Sequence, residues 1–151
     1  MIKISKKTEY ALIALLDMAG NGEGTLVTAR LLSQKYNIPP EILGKVLQKL
    51  AKDKIILSQQ GVNGGYTLQQ PLSQITLYKL IQSIDGPLNL VDCTIHSKDE
   101  CEQESFCVIK KPMKIIQREL AGFFTGITLD TLKHRYPLNK THIHIEELHE
   151  G

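Results

Sequence analysis

The chain has no tryptophan, only eight other aromatic residues (five Tyr and three Phe) in 151, and only three cysteines. No window approaches the run of about eighteen apolar residues that a membrane span needs, which excludes a transmembrane helix. The N-terminus, Met1 to Lys7, has basic residues without an apolar stretch or small-residue cleavage site behind them, so no secretory leader is read there. Three cysteines is an odd number, and all lie within residues 93–107, which excludes a disulfide framework. No nucleophile–base pairing and no phosphate loop is present, so the expectation is a non-enzyme. What is there is an ordinary apolar fraction of 42%, enough for one core, and a cytoplasmic protein is expected.

The net charge of +2 conceals an asymmetry. Residues 1–70 hold nine Lys/Arg against five Asp/Glu, whereas residues 71–151 hold nine against eleven. A modest basic excess in the first half is compatible with a phosphate-facing surface.

The hydrophobic pattern gives a mainly α fold with a small β-wing. A first helix is predicted over Glu9 to Ala19 with Thr8 as its cap, and its apolar residues cover more than one stripe, which suggests burial on two sides. Thr28 can cap a second helix over 29–35. Tyr36-Asn37-Ile38 then makes a turn, and Pro39-Pro40 opens a third helix to about Asp53. Leu43, Val46, Leu47 and Leu50 form its apolar stripe, leaving Glu41, Lys45, Gln48, Lys49 and Lys52 outward. Two helices joined by a tight turn, the second polar and basic outside, follow helix-turn-helix grammar. Residues 55–58 and 66–68 read as strands around a glycine-rich loop, the expected wing. Thr76 caps a helix through Ile84, closed by Gly86-Pro87. After an aperiodic segment, a long helix over 108–124 carries Met113, Ile116, Leu120, Phe123 and Phe124 on one stripe, with Pro112 in its first turn. A short helix over 128–135 and a His-bearing tail complete the chain. The expected organisation is a winged helix-turn-helix head (1–86), a cysteine-bearing loop (87–107), a long helix and short follower (108–137), and a tail (138–151).

Two constellations carry chemistry. A recognition helix needs outward polar side chains in its first turns, which selects Glu41, Lys45, Gln48 and Lys49 for base edges, with Lys52 and Lys54 suited to phosphates. Gly61, Asn63, Gly64 and Gly65 in the wing loop would let backbone lie close to DNA. The bland alternative is a helical hairpin with a solvated basic face. The second constellation is Cys93, Cys101 and Cys107, separated by seven and five residues. That spacing suits a loop around an iron-sulfur cluster better than a single zinc, for which closely spaced knuckles are usual. Three thiolates leave one position for His96, an acid of the loop, or Glu9 from a partner subunit. The loop is acidic, with Asp92, Asp99, Glu100, Glu102 and Glu104 against Lys98, which disfavours an anionic cluster and makes it labile. Rival readings are a zinc-stabilised module using the three cysteines with His96, and a redox carrier. The tail histidines, His142, His144 and His149, read as a frayed end.

With these residues assembled, the chain resembles the Rrf2 family of winged-helix regulators, which has IscR-, NsrR- and RirA-like members. The likeness spans nearly the whole chain. It rests on Lys3-Ile4-Ser5 with Thr8-Glu9-Tyr10-Ala11-Leu12, on Gly61-Val62-Asn63-Gly64-Gly65-Tyr66-Thr67-Leu68, on Ile75-Thr76-Leu77, and on the three cysteines. Residues 85–93 and Gly126-Ile127-Thr128-Leu129 look most like the branch that regulates the SUF iron-sulfur assembly system. The resemblance implies a homodimer built on the long helix, double-stranded DNA with a palindromic operator as partner, and a cluster, 4Fe–4S in preference to 2Fe–2S, near the dimer interface. It matches Cys93, Cys101 and Cys107 to the three cluster ligands in order, the seven-residue gap agreeing with the RirA-like members. Lys110 stands where IscR-like members place a ligating histidine, which leaves Glu9, ahead of His96, as the implied fourth ligand. The implied role is a repressor of iron-sulfur assembly genes, with nitric-oxide or iron sensing as the rival within the family.

Overall fold

The computed structural model describes residues 3–91 and 104–135. Four of its helices begin at a hydroxyl that accepts a backbone N–H of the first turn. They are α1 (Lys6–Gly20), capped by Ser5; α2 (Ala29–Tyr36), capped by Thr28; α4 (Leu77–Asp85), capped by Thr76; and α6 (Leu129–Arg135), where the Thr131 N–H donates to Thr128. α3 (Pro40–Lys52) starts on proline instead. The remaining elements are β1 (Ile56–Gln59), β2 (Gly65–Leu68), α5 (Lys110–Thr125) and 3₁₀ turns at Leu72–Gln74 and Glu104–Phe106.

The expected cap of α1 is corrected. Ser5 Oγ accepts from the Thr8 N–H at 3.1 Å, so the helix starts three residues earlier than Glu9. Thr8 is buried inside the first turn, and its hydroxyl, like that of Ser5, donates to Asp85. The two hydroxyls stand three apart, and the one nearer solvent takes the cap. β1 is displaced by one residue from the expected strand because Ile55 is consumed in ending α3: its N–H donates to the Leu50 carbonyl at 3.0 Å.

The core is one cluster. Ala11, Ala14, Leu15 and Met18 of α1 meet Leu43, Val46, Leu47 and Leu50 of α3, with Leu32, Ile38, Ile55, Ile56, Ile75 and Leu80 closing it. Tyr10, Leu12, Ile13 and Leu16 flank this stripe half-buried, so α1 does adhere over a wide face. β1 and β2 pair antiparallel in the register Ile56↔Leu68 to Gln59↔Gly65. Their base is joined to the segment before α2 by reciprocal Val27–Tyr66 backbone bonds, 2.8 Å each way. The C-terminal pieces return to the same core: Leu77 donates its N–H to Ile127, Leu129 donates to Ile75, and Leu129 is fully buried. α5 lies against α4 and contributes no fully buried residue. Among the described residues no helix is long and apolar enough to cross a membrane.

Candidate nucleic-acid interface

The turn between α2 and α3 is fixed by local chemistry. Asn37 takes the left-handed conformation (φ 51°) that ends α2, a backbone region Asn tolerates better than most residues. Ser33 closes the turn from both sides, its carbonyl accepting the Ile38 N–H at 3.1 Å and its hydroxyl donating to the Ile38 carbonyl at 2.6 Å. A buried acid then sets α2 against α1. Asp17 accepts from Lys35 Nζ, from Tyr36 Oη at 2.6 Å and from Asn21 Nδ2 at 2.8 Å. Burial alone would raise the Asp17 carboxyl, but the hydrogen bonds from Lys35 and Tyr36 and the Lys35 charge outweigh it and hold the group below its ordinary range.

α3 presents the expected face. Leu43, Val46, Leu47 and Leu50 are buried, and Glu41, Lys45, Gln48, Lys49 and Lys52 are exposed. Lys49 is not free: it pairs with Asp53 at 3.2 Å, and Asp53 in turn accepts the Ser83 hydroxyl at 2.5 Å. The Ser83 bond is the main reason the Asp53 carboxyl sits below its ordinary value, with Lys49 adding to it. Lys54 follows the helix in the left-handed region (φ 58°), its carbonyl held by Gln70 Nε2 at 2.8 Å while its side chain is exposed.

The wing loop gives its glycines unequal work. A Cβ on Gly64 would stand 2.4 Å from the Gln59 carbonyl oxygen, and one on Gly65 would stand 3.0 Å from that of Val27. These two build the hairpin. Gly61 has open space around it but a φ of 113°, and it receives the Gly64 N–H at 3.0 Å. Asn63 is exposed beside Val62, the wing tip, whose side chain is wholly exposed. Sequence reasoning passed over Val62 because an apolar residue at a loop tip carries no periodic signal. It also passed over Gly44, a glycine inside α3 on the same side as Glu41, Lys45 and Gln48. From Ser58 to Gln70 the wing has no charged side chain, so the cations of this face come from the helices and Lys54.

Of the expected cluster ligands, Cys107 is a free, partly buried thiol between the 3₁₀ turn and α5. Glu9 lies partly exposed in the first turn of α1 and pairs with Lys6 at 2.5 Å. Cys93, His96 and Cys101 lie outside the described residues, as do the acids at 92, 99, 100 and 102 and the tail histidines.

The helix pair with its hairpin and basic face is the geometry of a winged helix, and a family model described as iron-dependent transcriptional regulators, Rrf2, matches residues 4–135. The chain belongs to the Rrf2 family. Its members are transcriptional regulators, not enzymes. An HTH-type transcriptional regulator of Mycobacterium tuberculosis is 36% identical over 87 residues, covering 58% of this chain and 54% of that relative, so the match spans about half the relative's length. IscR of Cronobacter sakazakii is 28% identical over 131 residues, covering 87% of this chain and 80% of the relative. Among solved structures, CymR of B. subtilis, titled the global cysteine regulator, superposes with a TM-score of 0.68 at 21% identity, covering 89% of this chain and 98% of that one. At that identity the likeness speaks for the fold.

Proposed function

We propose that the protein is a cytoplasmic homodimeric repressor whose binding to a palindromic operator in double-stranded DNA is switched by a labile iron-sulfur cluster, and that it controls iron-sulfur assembly genes. The observation that carries this reading is the presence, in one Rrf2 chain, of a complete winged helix and three thiols confined to residues 93–107. The donor set fits such a group: three thiolates suit iron, Cys107 is unpaired, and the Glu9 carboxylate reaches the surface. Cys93, Cys101 and Cys107 would hold the cluster, 4Fe–4S in preference to 2Fe–2S, with Glu9 of a partner subunit ahead of His96 as fourth ligand. When bound, the cluster supplies a group whose gain or loss reports iron-sulfur supply.

In this reading the head (1–86) meets DNA, residues 87–107 form the sensing loop, 108–137 associate two copies and 138–151 are a tail. Glu41, Lys45, Gln48 and Lys49 read base edges in the major groove, Lys52 and Lys54 meet phosphates, and Gly61, Asn63, Gly64 and Gly65 bring the wing to the minor groove. Homodimerisation is supported by α5, where Ile115, Ile116 and Phe123 leave an apolar face half exposed to water. Cluster state would shift the heads between DNA-compatible and incompatible arrangements, for which a few kcal/mol of differential stability is enough.

The test is anaerobic purification followed by a visible spectrum and iron and sulfide assay, with footprinting on promoter fragments before and after cluster removal. A brown protein with iron and sulfide, whose footprint changes on stripping, is expected. A colourless protein with stoichiometric zinc would overturn the switching part and leave DNA binding standing.

A further inference from the structure

Two hydrogen-bonded links leave the last turn of α4 in different directions. Ser83 Oγ donates to Asp53 Oδ2 at 2.5 Å, and Asp53 is the residue that caps the C-terminus of α3. Asp85 accepts from Ser5 Oγ at 2.6 Å and from Thr8 Oγ1 at 2.8 Å, and these are the cap and first turn of α1. The same Asp53 carboxylate draws in Lys49, a cation of the DNA-reading face. Immediately after these residues Gly86 (φ 88°) ends α4 and the chain enters the cysteine segment. The far side of that segment leads into α5, which packs on α4, and the Leu90 N–H donates to Gln117 of α5 at 3.2 Å.

Adhesion does not account for these links. Leu77, Leu80 and Ile81 already bury the apolar face of α4. An acid at the C-terminus of a helix also meets the negative end of its dipole, where a cation would serve better, so Asp53 is not explained by α3 itself. What Asp53 does have is one partner on α4 and one on the outward face of α3. Directional bonds of this kind fix an angle that apolar packing leaves soft.

We infer that Ser83 and Asp53 are positioning residues through which the last turn of α4 sets the recognition helix, with Asp85, Ser5 and Thr8 as the matching anchor on α1, so that a displacement of that turn reaches the DNA-reading face. This rests on the reading of α3 as the recognition helix and of residues 87–107 as the sensing loop. The physical device is a short helix pinned at one end to two others, which converts a pull on that end into a change of their mutual angle.

The experiment uses the full chain and a duplex selected from a random-sequence pool by the anaerobically purified wild type. Affinity for that duplex is measured with cluster-loaded protein and with the same protein after chelator stripping. A wild-type ratio of at least about fivefold is expected, the lower end of ordinary coupling between sites. Ser83→Ala should bring the ratio below about twofold, and Ser83→Thr, which keeps the hydroxyl, should restore it. In parallel, amide exchange is followed at Asp53, Lys54 and Ile55, whose N–H groups donate to Lys49, Ala51 and Leu50. Ser83→Ala should speed exchange there and leave Leu80 unchanged. A switching wild type whose ratio survives Ser83→Ala overturns the inference and leaves the sensing loop intact. A wild type with no ratio sinks the switching reading, and the positioning role is then decided by the exchange data, where unchanged rates at the end of α3 refute it.

Discussion

α3 and α5 carry apolar stripes of nearly the same spacing and meet opposite fates. In α3 the residues at 43, 46, 47 and 50 are all buried, because α1, α2, α4 and the wing close around them. In α5 the corresponding stripe is only half covered: Ile116 is 48% and Phe123 is 63% exposed, and Met113, Leu120 and Phe124 are partly buried. Amphipathic sequence alone therefore does not say whether a helix finds its partner inside its own chain. α3 has enough neighbours within the chain to bury its stripe; α5 has essentially α4 and the return through Ile127 and Leu129. The half-covered stripe is a surface awaiting a second copy in the proposed dimer, and burial of such a face supplies most of the stability of amphipathic helices.

The contrast breaks most sharply under truncation. Leu47→Ala leaves a cavity in a fully buried position and is expected to cost about 2–5 kcal/mol, seen as a lower denaturant midpoint at every protein concentration. Phe123→Ala should cost far less in dilute solution. Its effect should appear instead as loss of the concentration dependence of the thermal midpoint, since association stabilises by mass action. Equal concentration dependence in wild type and Phe123→Ala would remove α5 as the dimer surface.

The Asp17 network sharpens the comparison from the core side. Asp17→Asn keeps an acceptor but loses the charge that Lys35 and Tyr36 meet, and about 1–3 kcal/mol of stability should go with it. The pH dependence follows from the direction of the shift. The folded carboxyl lies below its ordinary value of 3.8, so its contribution is fully present above that value and is lost as pH falls through the lower folded one. Urea midpoints followed from neutral to acid pH should therefore decline more steeply below about pH 4 in wild type than in Asp17→Asn. α5 has no buried acid, so no such limb is expected from it.

A smaller effect tests the outward face. Lys45→Ala should reduce the slope of log affinity against log salt by about 0.9 if its ammonium meets a phosphate. If it reads a base edge, discrimination between the selected and a random duplex should fall by about 1–3 kcal/mol. Substitutions in the uncharged wing, such as Asn63→Ala, should leave the salt slope alone. A wing variant that changes the slope as much as Lys45→Ala would contradict the assignment of the electrostatic contacts to the helices.

Much of this was legible in the chain because the signals are local. The caps at Thr28 and Thr76, the stripe of α3 and the glycines of the hairpin each depend on residues within a few positions, and each appears where the pattern put it. What escaped depends on contacts distant in sequence. Ser5 caps α1 while both it and Thr8 donate their hydroxyls to Asp85, 80 and 77 residues away. Asp17 gives no sign in the sequence that Lys35 and Tyr36 will reach it from α2. Lys49, expected to face outward for base edges, is instead paired directly with Asp53, which the spacing of the cations does not announce. The three cysteines stand out in the composition, and of their thiols the described residues include Cys107 alone.

The smallest expected effect concerns Gly44, in the middle of the 13-residue α3. Glycine inside a helix costs up to about 1 kcal/mol relative to alanine, and nothing lies within 4 Å of a Cβ built there. Packing within the chain therefore gives no reason for it. Gly44→Ala is expected to raise stability by about 0.5–1 kcal/mol, read as a higher denaturant midpoint with unchanged slope. Because Gly44 shares a face with Glu41, Lys45 and Gln48, the same methyl group would stand between α3 and whatever that face meets. A stabilised variant with weakened binding to the selected duplex would mark Gly44 as a place where DNA comes close to the helix backbone. A stabilised variant with unchanged binding would show that the contacting surface begins one turn away, with Lys45 and Gln48 reaching across the gap.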